Sequence, residues 1–246
     1  MEFLPSFQWY SGSLEEKTIF WTCTVLNGSF MLAAAALFSG VKSPYGRYNQ
    51  GDEARSPLLR LLASCNVNAK VAWVLQESPT LVAACLSWLF GSQACRSSPG
   101  NLAVLLCFVV HYVNRSFVYP LQMKGSKPFP LPVMMMAMTF CAVNGYIQCQ
   151  SLMRYLLIPV NWMTCLGICI WMTGLYINVD ADQRLRNLRK PGETGYKIPR
   201  GGLFDYVSGA NFFGEIMEWI GFAIAMGGAF PGITFAFCTA CNIGPR

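Results

Sequence analysis

Apolar residues come in long unbroken runs along this chain: Thr18 to Phe38, Val71 to Phe90, Leu102 to Met123, Pro132 to Met153, Tyr155 to Val179 and Tyr206 to Phe230. Each is about 20 residues or more, enough for a helix to cross a hydrocarbon core of roughly 30 Å. Strands of a membrane barrel would alternate in polarity, whereas these runs are apolar on all sides. A further piece, Gly232 to Ile243, follows the breaker Pro231-Gly232. At roughly 1.5 Å per residue its dozen or so residues cover only about 18 Å. The pattern therefore predicts an all-α, polytopic membrane bundle of six full transmembrane helices and a truncated seventh. With no internal repeat and no low-complexity segment, residues 1–246 read as a single domain.

Composition agrees, with 54% hydrophobic residues, 12% charged and a mean hydropathy of +0.38. The net charge of +6 sits mostly between the runs. Lys42, Arg47, Arg55, Arg60 and Lys70 follow the first, Lys124 and Lys127 the third, and Arg184, Arg186, Arg189, Lys190, Lys197 and Arg200 the fifth, against Lys17, Arg96 and Arg154 on the other side. By the positive-inside rule the amino terminus is lumenal and the basic loops are cytosolic. The charge is thus a topology signal, and no nucleic-acid partner is expected. The start MEFLPSFQWYSGSLEEK is acidic and lacks the basic region of a cleavable signal, so the first helix reads as an uncleaved anchor.

Most of the eleven cysteines lie inside apolar runs as small packing residues. Cys238 and Cys241 have redox spacing but no second pair, and with His111 the only histidine no metal site is expected. Cys95 and Cys149 both fall near the lumenal face, where one disulfide between them is an open expectation.

Candidate chemistry lies in ionisable groups inside the apolar runs, which lipid tolerates only with partners or a wet cavity. Glu77, beside Gln76 and Pro79, interrupts the second run. Tyr112, Arg115 and Tyr119 share a helix face on the third; Asn211, Glu215 and Glu218 share one on the sixth; Asn178, Asp182, Arg186 and Arg189 form a stripe leaving the fifth. Such groups can be structural ion pairs and interhelical hydrogen bonds. A tyrosine pair, three carboxylates, two asparagines and a guanidinium cluster exceed what packing requires, and point to one shared cavity. A transporter reading predicts inverted repeats and paired broken helices, which the sequence lacks. The glycine-containing basic loop from Asn178 to Trp219 suits a phosphate-bearing ligand at the cytosolic face or, on charge alone, anionic lipid headgroups. It contains neither GxGxxG after a strand nor a Walker A motif.

The segment LRKPGETGYKIPRGGLFDYVSGANFFGEIMEW (Leu188 to Trp219), with AWVLQE (Ala72 to Glu77) and HYVNRSFVYP (His111 to Pro120), closely resembles the steroid 5α-reductases, the 3-oxo-5α-steroid 4-dehydrogenases. GYKIPRGGLF and KGSKPFP (Lys124 to Pro130) look more like the type 1 branch, and the resemblance covers about residues 44–238. It implies a seven-helix enzyme of the endoplasmic reticulum membrane that reduces the Δ4 double bond of 3-oxo-Δ4 steroids with NADPH. In that family the glutamate and tyrosine matching Glu77 and Tyr112 bind the 3-keto oxygen, with Gln76 beside them. Residues matching Asn178, Asp182, Arg189, Asn211 and Glu215 hold the cofactor, with Arg115, Tyr119, Arg186, Tyr196 and Lys197 as further contacts. The steroid enters from the bilayer among membrane lipids and NADPH from the cytosol; nothing in the pattern specifies an oligomer.

Three departures stand out: Asp180 in place of a usual histidine, a short lumenal connection around Gln150 to Pro159, and a chain ending at Gly244-Pro245-Arg246 where the family continues. The last leads to an expectation of weak activity. A related reductase of polyprenoid or enoyl lipids, or a catalytically impaired truncated isoform, stands as the alternative. The chemistry accounts for a carboxyl group in an apolar helix: hydride addition at C5 of a conjugated enone moves negative charge to the C3 oxygen. An acid or strong donor there stabilises the enolate.

Overall fold

The computed structural model describes residues 12–40, 65–124, 128–188 and 197–245. Helix α1, Leu14–Phe38, opens with a capping box: Ser13 Oγ accepts from the Glu16 backbone N–H at 3.3 Å, and Glu16 Oε2 accepts from the Ser13 N–H at 2.7 Å. Helix α2, Ala69–Phe90, is capped by Asn68, and the short α3, Gln93–Ser97, comes after it. Helix α4, Pro99–Val113, runs through a π-helical turn at Asn114–Val118 into α5, Tyr119–Gln122. Next come α6, Leu131–Gln150, ending in a second π turn at Ser151–Tyr155, and α7, Trp162–Asn187. A 3₁₀ turn, Gly202–Asp205, leads into α8, Ala210–Ala225, and α9, Phe230–Ile243. One small departure from an all-helical chain is a two-residue antiparallel pairing of Asn66–Val67 with Phe129–Pro130.

Among the described residues, four helices are long and apolar enough to cross a membrane: Leu14–Phe38, Pro99–Gln122, Leu131–Tyr155 and Trp162–Asn187. The expected bundle is thus present, while the expected count of six full spans is met by four on length and apolarity. Helix α2 has 22 residues but carries Lys70, Gln76, Glu77 and Pro79, and α8 has 16. Helix α8 is shorter than its apolar run because it starts only after Gly209 and ends before two glycines at positive φ, Gly227 (71°) and Gly228 (73°). The short apolar piece after Pro231 lies in helix α9, which has 14 residues. Helix α7 starts at Trp162 rather than Tyr155. Pro159 cannot donate into a helical ladder, and Asn161 caps the new start by accepting from Thr164 N at 3.0 Å. The buried Asn101 pins the intervening segment, donating to Leu152 O and Leu156 O and accepting from Ile158 N.

Two close approaches between helix backbones set the geometry of the interior. On α7 and α8, Gly167 and Gly174 face Gly221 and Gly214, seven residues apart on each helix, so the backbones touch. A Cβ on Gly214 would stand 2.6 Å from Asn178 N, and one on Gly174 would collide with Glu218 N. This seam of small residues is the usual means of bringing membrane helices into contact. Similarly, Gly145 of α6 lies against Thr80 of α2, with 2.9 Å from its would-be Cβ to Thr80 Cα. The core between the helices is aromatic: Phe108, Trp219, Phe222 and Phe235 interlock, with Trp219 and Phe235 centroids 4.0 Å apart. Helix α1 joins through Asn27, which donates to Thr234 at 3.0 Å, and through Glu15, which accepts from Tyr146, Tyr155 and Gln150 of the α6 segment.

Candidate functional site

The carboxylate that breaks the apolar run of α2 is held at both oxygens. Gln76 Nε2 donates to Glu77 Oε1 at 3.1 Å, and the thiol of Cys141, on α6, donates to Glu77 Oε2 at 3.4 Å. Tyr112, only 3% exposed on α4, lies within electrostatic range of both Glu77 and Cys141. Its ring is wedged between Phe108, at 4.8 Å, and His111, at 5.1 Å. A carboxyl group and a phenol from two helices therefore lie within electrostatic range of each other in largely apolar surroundings, where hydrogen bonds to an incoming oxygen are strong because little water competes.

One turn further along, the π turn at Asn114–Val118 carries Arg115 inward. Its Nη1 pairs with Asp182 Oδ2 of α7 at 3.3 Å and its Nη2 with Glu215 Oε2 of α8 at 3.0 Å. The guanidinium carbon lies 5.0 Å from the Trp73 ring centroid and 5.1 Å from that of Tyr119. The α7–α8 seam holds the acidic side together: Asn178 Nδ2 donates to Asn211 O at 2.9 Å, and Asp182 faces Asn211 and Arg186. Asn178 Oδ1 is buried with no hydrogen-bond partner among the described residues. Electrostatic interaction also joins Glu77 with Arg115, His111 and Glu215, so the two clusters form one connected centre.

Of the residues singled out in the sequence, Gln76, Glu77, Tyr112, Arg115, Tyr119, Asn178, Asp182, Asn211 and Glu215 come together here. Arg186 lies at the edge, facing Asp182 and Tyr119, where an open groove of about 450 Å³ passes between Gln122, Lys124, Gln183 and Asn187. Lys197 is exposed in the irregular segment before Gly202. Arg189 and Tyr196 lie outside the described residues. Asp180, the residue standing in for a usual histidine, pairs with Arg184 at 2.7 Å. The disulfide considered between Cys95 and Cys149 is not formed; both thiols are free and buried, and Cys95 Sγ donates to Leu156 O at 3.2 Å.

Three features went unread in the sequence. His111 Nδ1 and Glu218 Oε1 stand 3.0 Å apart, both buried, while Glu218 Oε2 has no partner among the described residues. Trp73 stacks against Arg115. Cys141, Asn144 and Gln148 line one face of α6 behind Glu77 and Tyr112; their signal was a polar pair at i, i+4 inside an apolar run.

A polytopic helical membrane protein with a buried, charged centre shared by four helices is the class that fold and site define. Residues 127–246 match the family described as 3-oxo-5-alpha-steroid 4-dehydrogenase. The chain is 46% identical over 184 residues to 3-oxo-5-alpha-steroid 4-dehydrogenase 1 of Homo sapiens, covering 73% of this chain and 71% of that protein. It is 38% identical over 237 residues to the Mus musculus protein of the same name, covering 95% and 89%. With 3-oxo-5-alpha-steroid 4-dehydrogenase 2 of Sus scrofa it shares 41% over 229 residues, covering 90% and 86%. The chain belongs to the 3-oxo-5-alpha-steroid 4-dehydrogenase family.

Proposed function

We propose that this chain reduces the Δ4 double bond of 3-oxo-Δ4 steroids to the 5α-reduced 3-oxosteroid, with NADPH as reductant. The observation that carries the reading is the single centre in which Glu77 and Tyr112 stand beside Arg115, Asp182, Asn211 and Glu215. Family membership supports the reaction type, because the matched relatives are named for it.

The donor set suits a phosphate-bearing dinucleotide. Asp182 and Glu215 present carboxylates, and Asn178 an unpartnered buried carbonyl oxygen, as acceptors for hydroxyl and amide hydrogens. Arg186 and Lys197 lie toward the exposed end with cationic donors for phosphate, and Arg189 and Tyr196 join them on the strength of the resemblance. The chemistry a bound NADPH supplies is a hydride. Arg115 keeps the two carboxylates in place and Tyr119 covers the guanidinium. Glu77 and Tyr112 hold hydrogen-bonding protons at the position of the C3 oxygen and stabilise the charge that collects there as C5 is reduced. The apolar helices around the pair exclude water from the enolate.

The same reading places the amino terminus in the lumen of the endoplasmic reticulum and the basic loops in the cytosol. In it α2 and α8 cross the membrane with their polar faces turned inward. A flat apolar steroid then reaches Glu77 laterally from the bilayer, while the charged reductant enters past Arg186. The test is incubation of membranes carrying the chain with labelled testosterone or progesterone, with and without NADPH. A 5α-reduced product that requires NADPH is expected; reduction confined to polyprenoid or enoyl lipids would overturn the assignment.

A further inference from the structure

Tyr112 needs its hydroxyl hydrogen aimed at the substrate, and Glu77 and Cys141 lie within electrostatic range of it. What turns the hydroxyl lies on α6. Asn144 is 2% exposed, and its side-chain amide stands within reach of the Tyr112 hydroxyl. The orientation of that amide is set by a chain of bonds: Gln148 Nε2 donates to Pro231 O at 2.9 Å and to Asn144 Oδ1 at 3.1 Å. With Oδ1 occupied, the edge that Asn144 offers is Nδ2, a donor, which completes no well-formed hydrogen bond among the described residues. Leaving a buried N–H unsatisfied is costly, so it is held there by a network that fixes it from behind. The Gly145–Thr80 approach brings this part of α6 against α2, the helix of Glu77.

We propose that Asn144 is a positioning residue for the reduction: its Nδ2 donates to the Tyr112 oxygen, so the α6 side of the phenol offers no acceptor and the phenolic hydrogen turns toward the steroid C3 oxygen. A tyrosine that accepts one hydrogen bond is a stronger donor of its own, because successive bonds polarise one another. Gln148 acts one step further back by fixing which edge of Asn144 faces the phenol. This inference rests on the proposed roles of Glu77 and Tyr112, and deepens them by naming the residue that gives Tyr112 its direction.

The test compares Asn144→Asp with Tyr112→Phe, alone and combined, in detergent-solubilised protein. Asn144→Asp keeps the shape and the acceptor for Gln148 but replaces the donor with an acceptor, which captures the phenolic hydrogen. Turnover should fall at least tenfold in kcat with little change in KM, and adding Asn144→Asp to Tyr112→Phe should bring no further loss. Equal fractional losses in both backgrounds would make Asn144 merely structural and overturn the proposal. A second readout needs no turnover: the ratio of affinities for a 3-oxo steroid and its analogue lacking the 3-oxygen. Asn144→Asp should lower that ratio at least fivefold and leave binding of the deoxy analogue unchanged. An intact ratio, or equal weakening of both ligands, counts against it. If Glu77→Leu and Tyr112→Phe are themselves fully active, the underlying reading fails; if they are inactive and Asn144→Asp is not, this inference alone fails.

Discussion

Glu77 receives a donor at each oxygen, Gln76 at one and Cys141 at the other, so its geometry is set by its protein neighbours. A carboxylate kept only for stability would be improved by an apolar replacement of similar size, since a buried ionisable group is often neutral or destabilising compared with good packing. Glu77→Leu is accordingly expected to fold, insert and reach normal levels while losing about a hundredfold or more in kcat, the range for removal of an acid–base group. Retained turnover with reduced protein level would make the residue structural. Arg115 is the opposite case: it is the partner of two buried carboxylates, and its loss leaves both uncompensated. Arg115→Met should destabilise the protein by about 3–5 kcal/mol. It should be seen as a lowered thermal midpoint in detergent and weakened NADPH binding; an unchanged midpoint would contradict the ion-pair account.

The seam between α7 and α8 is what sets the acidic half of the centre. Gly214 allows the backbone of Asn178 to approach, and Asn178 in turn bonds to Asn211 O. Gly214→Val would push the helices apart, since a Cβ there has no room against backbone atoms. The expected result is a loss of at least tenfold in NADPH affinity with a smaller change in steroid affinity; equal losses would place the seam's role in global stability. This is also the scale at which reading from sequence succeeded and stopped. The apolar runs gave the helices, and spacing of three or four residues put Asn178 with Asp182 and Asn211 with Glu215 on common faces. The π turns at Asn114–Val118 and Ser151–Tyr155 could not be read, because face counting assumes 3.6 residues per turn. The ends of α7 and α8 moved for local reasons: Pro159 with Asn161, and Gly209 before and Gly227 and Gly228 after Ala210–Ala225. The His111–Glu218 pair, 107 residues apart in sequence, depends on how α4 and α8 dock, which no local pattern encodes.

At the scale of the whole molecule, the bundle joins an apolar environment to an aqueous one. Large side chains such as Trp21, Phe38 and Met136 cover its outer surface, as suits contact with lipid, while Arg115, Asp182 and Glu215 form a charged cluster in the interior. In the proposed reading one substrate dissolves in the bilayer and the other is a charged nucleotide, and the centre is where the two routes would meet. The central claim is that Glu77 and Tyr112 and the Arg115–Asp182–Glu215 cluster serve a single hydride transfer. The direct measurement is reduction of a 3-oxo-Δ4 steroid by the solubilised chain with NADPH deuterated at C4 of the nicotinamide, the product being located by mass spectrometry and NMR. A few turnovers suffice for detection. One deuterium at C5, on the α face, is the predicted result; no reduced steroid, or a product whose C5 hydrogen comes from water, would contradict the account.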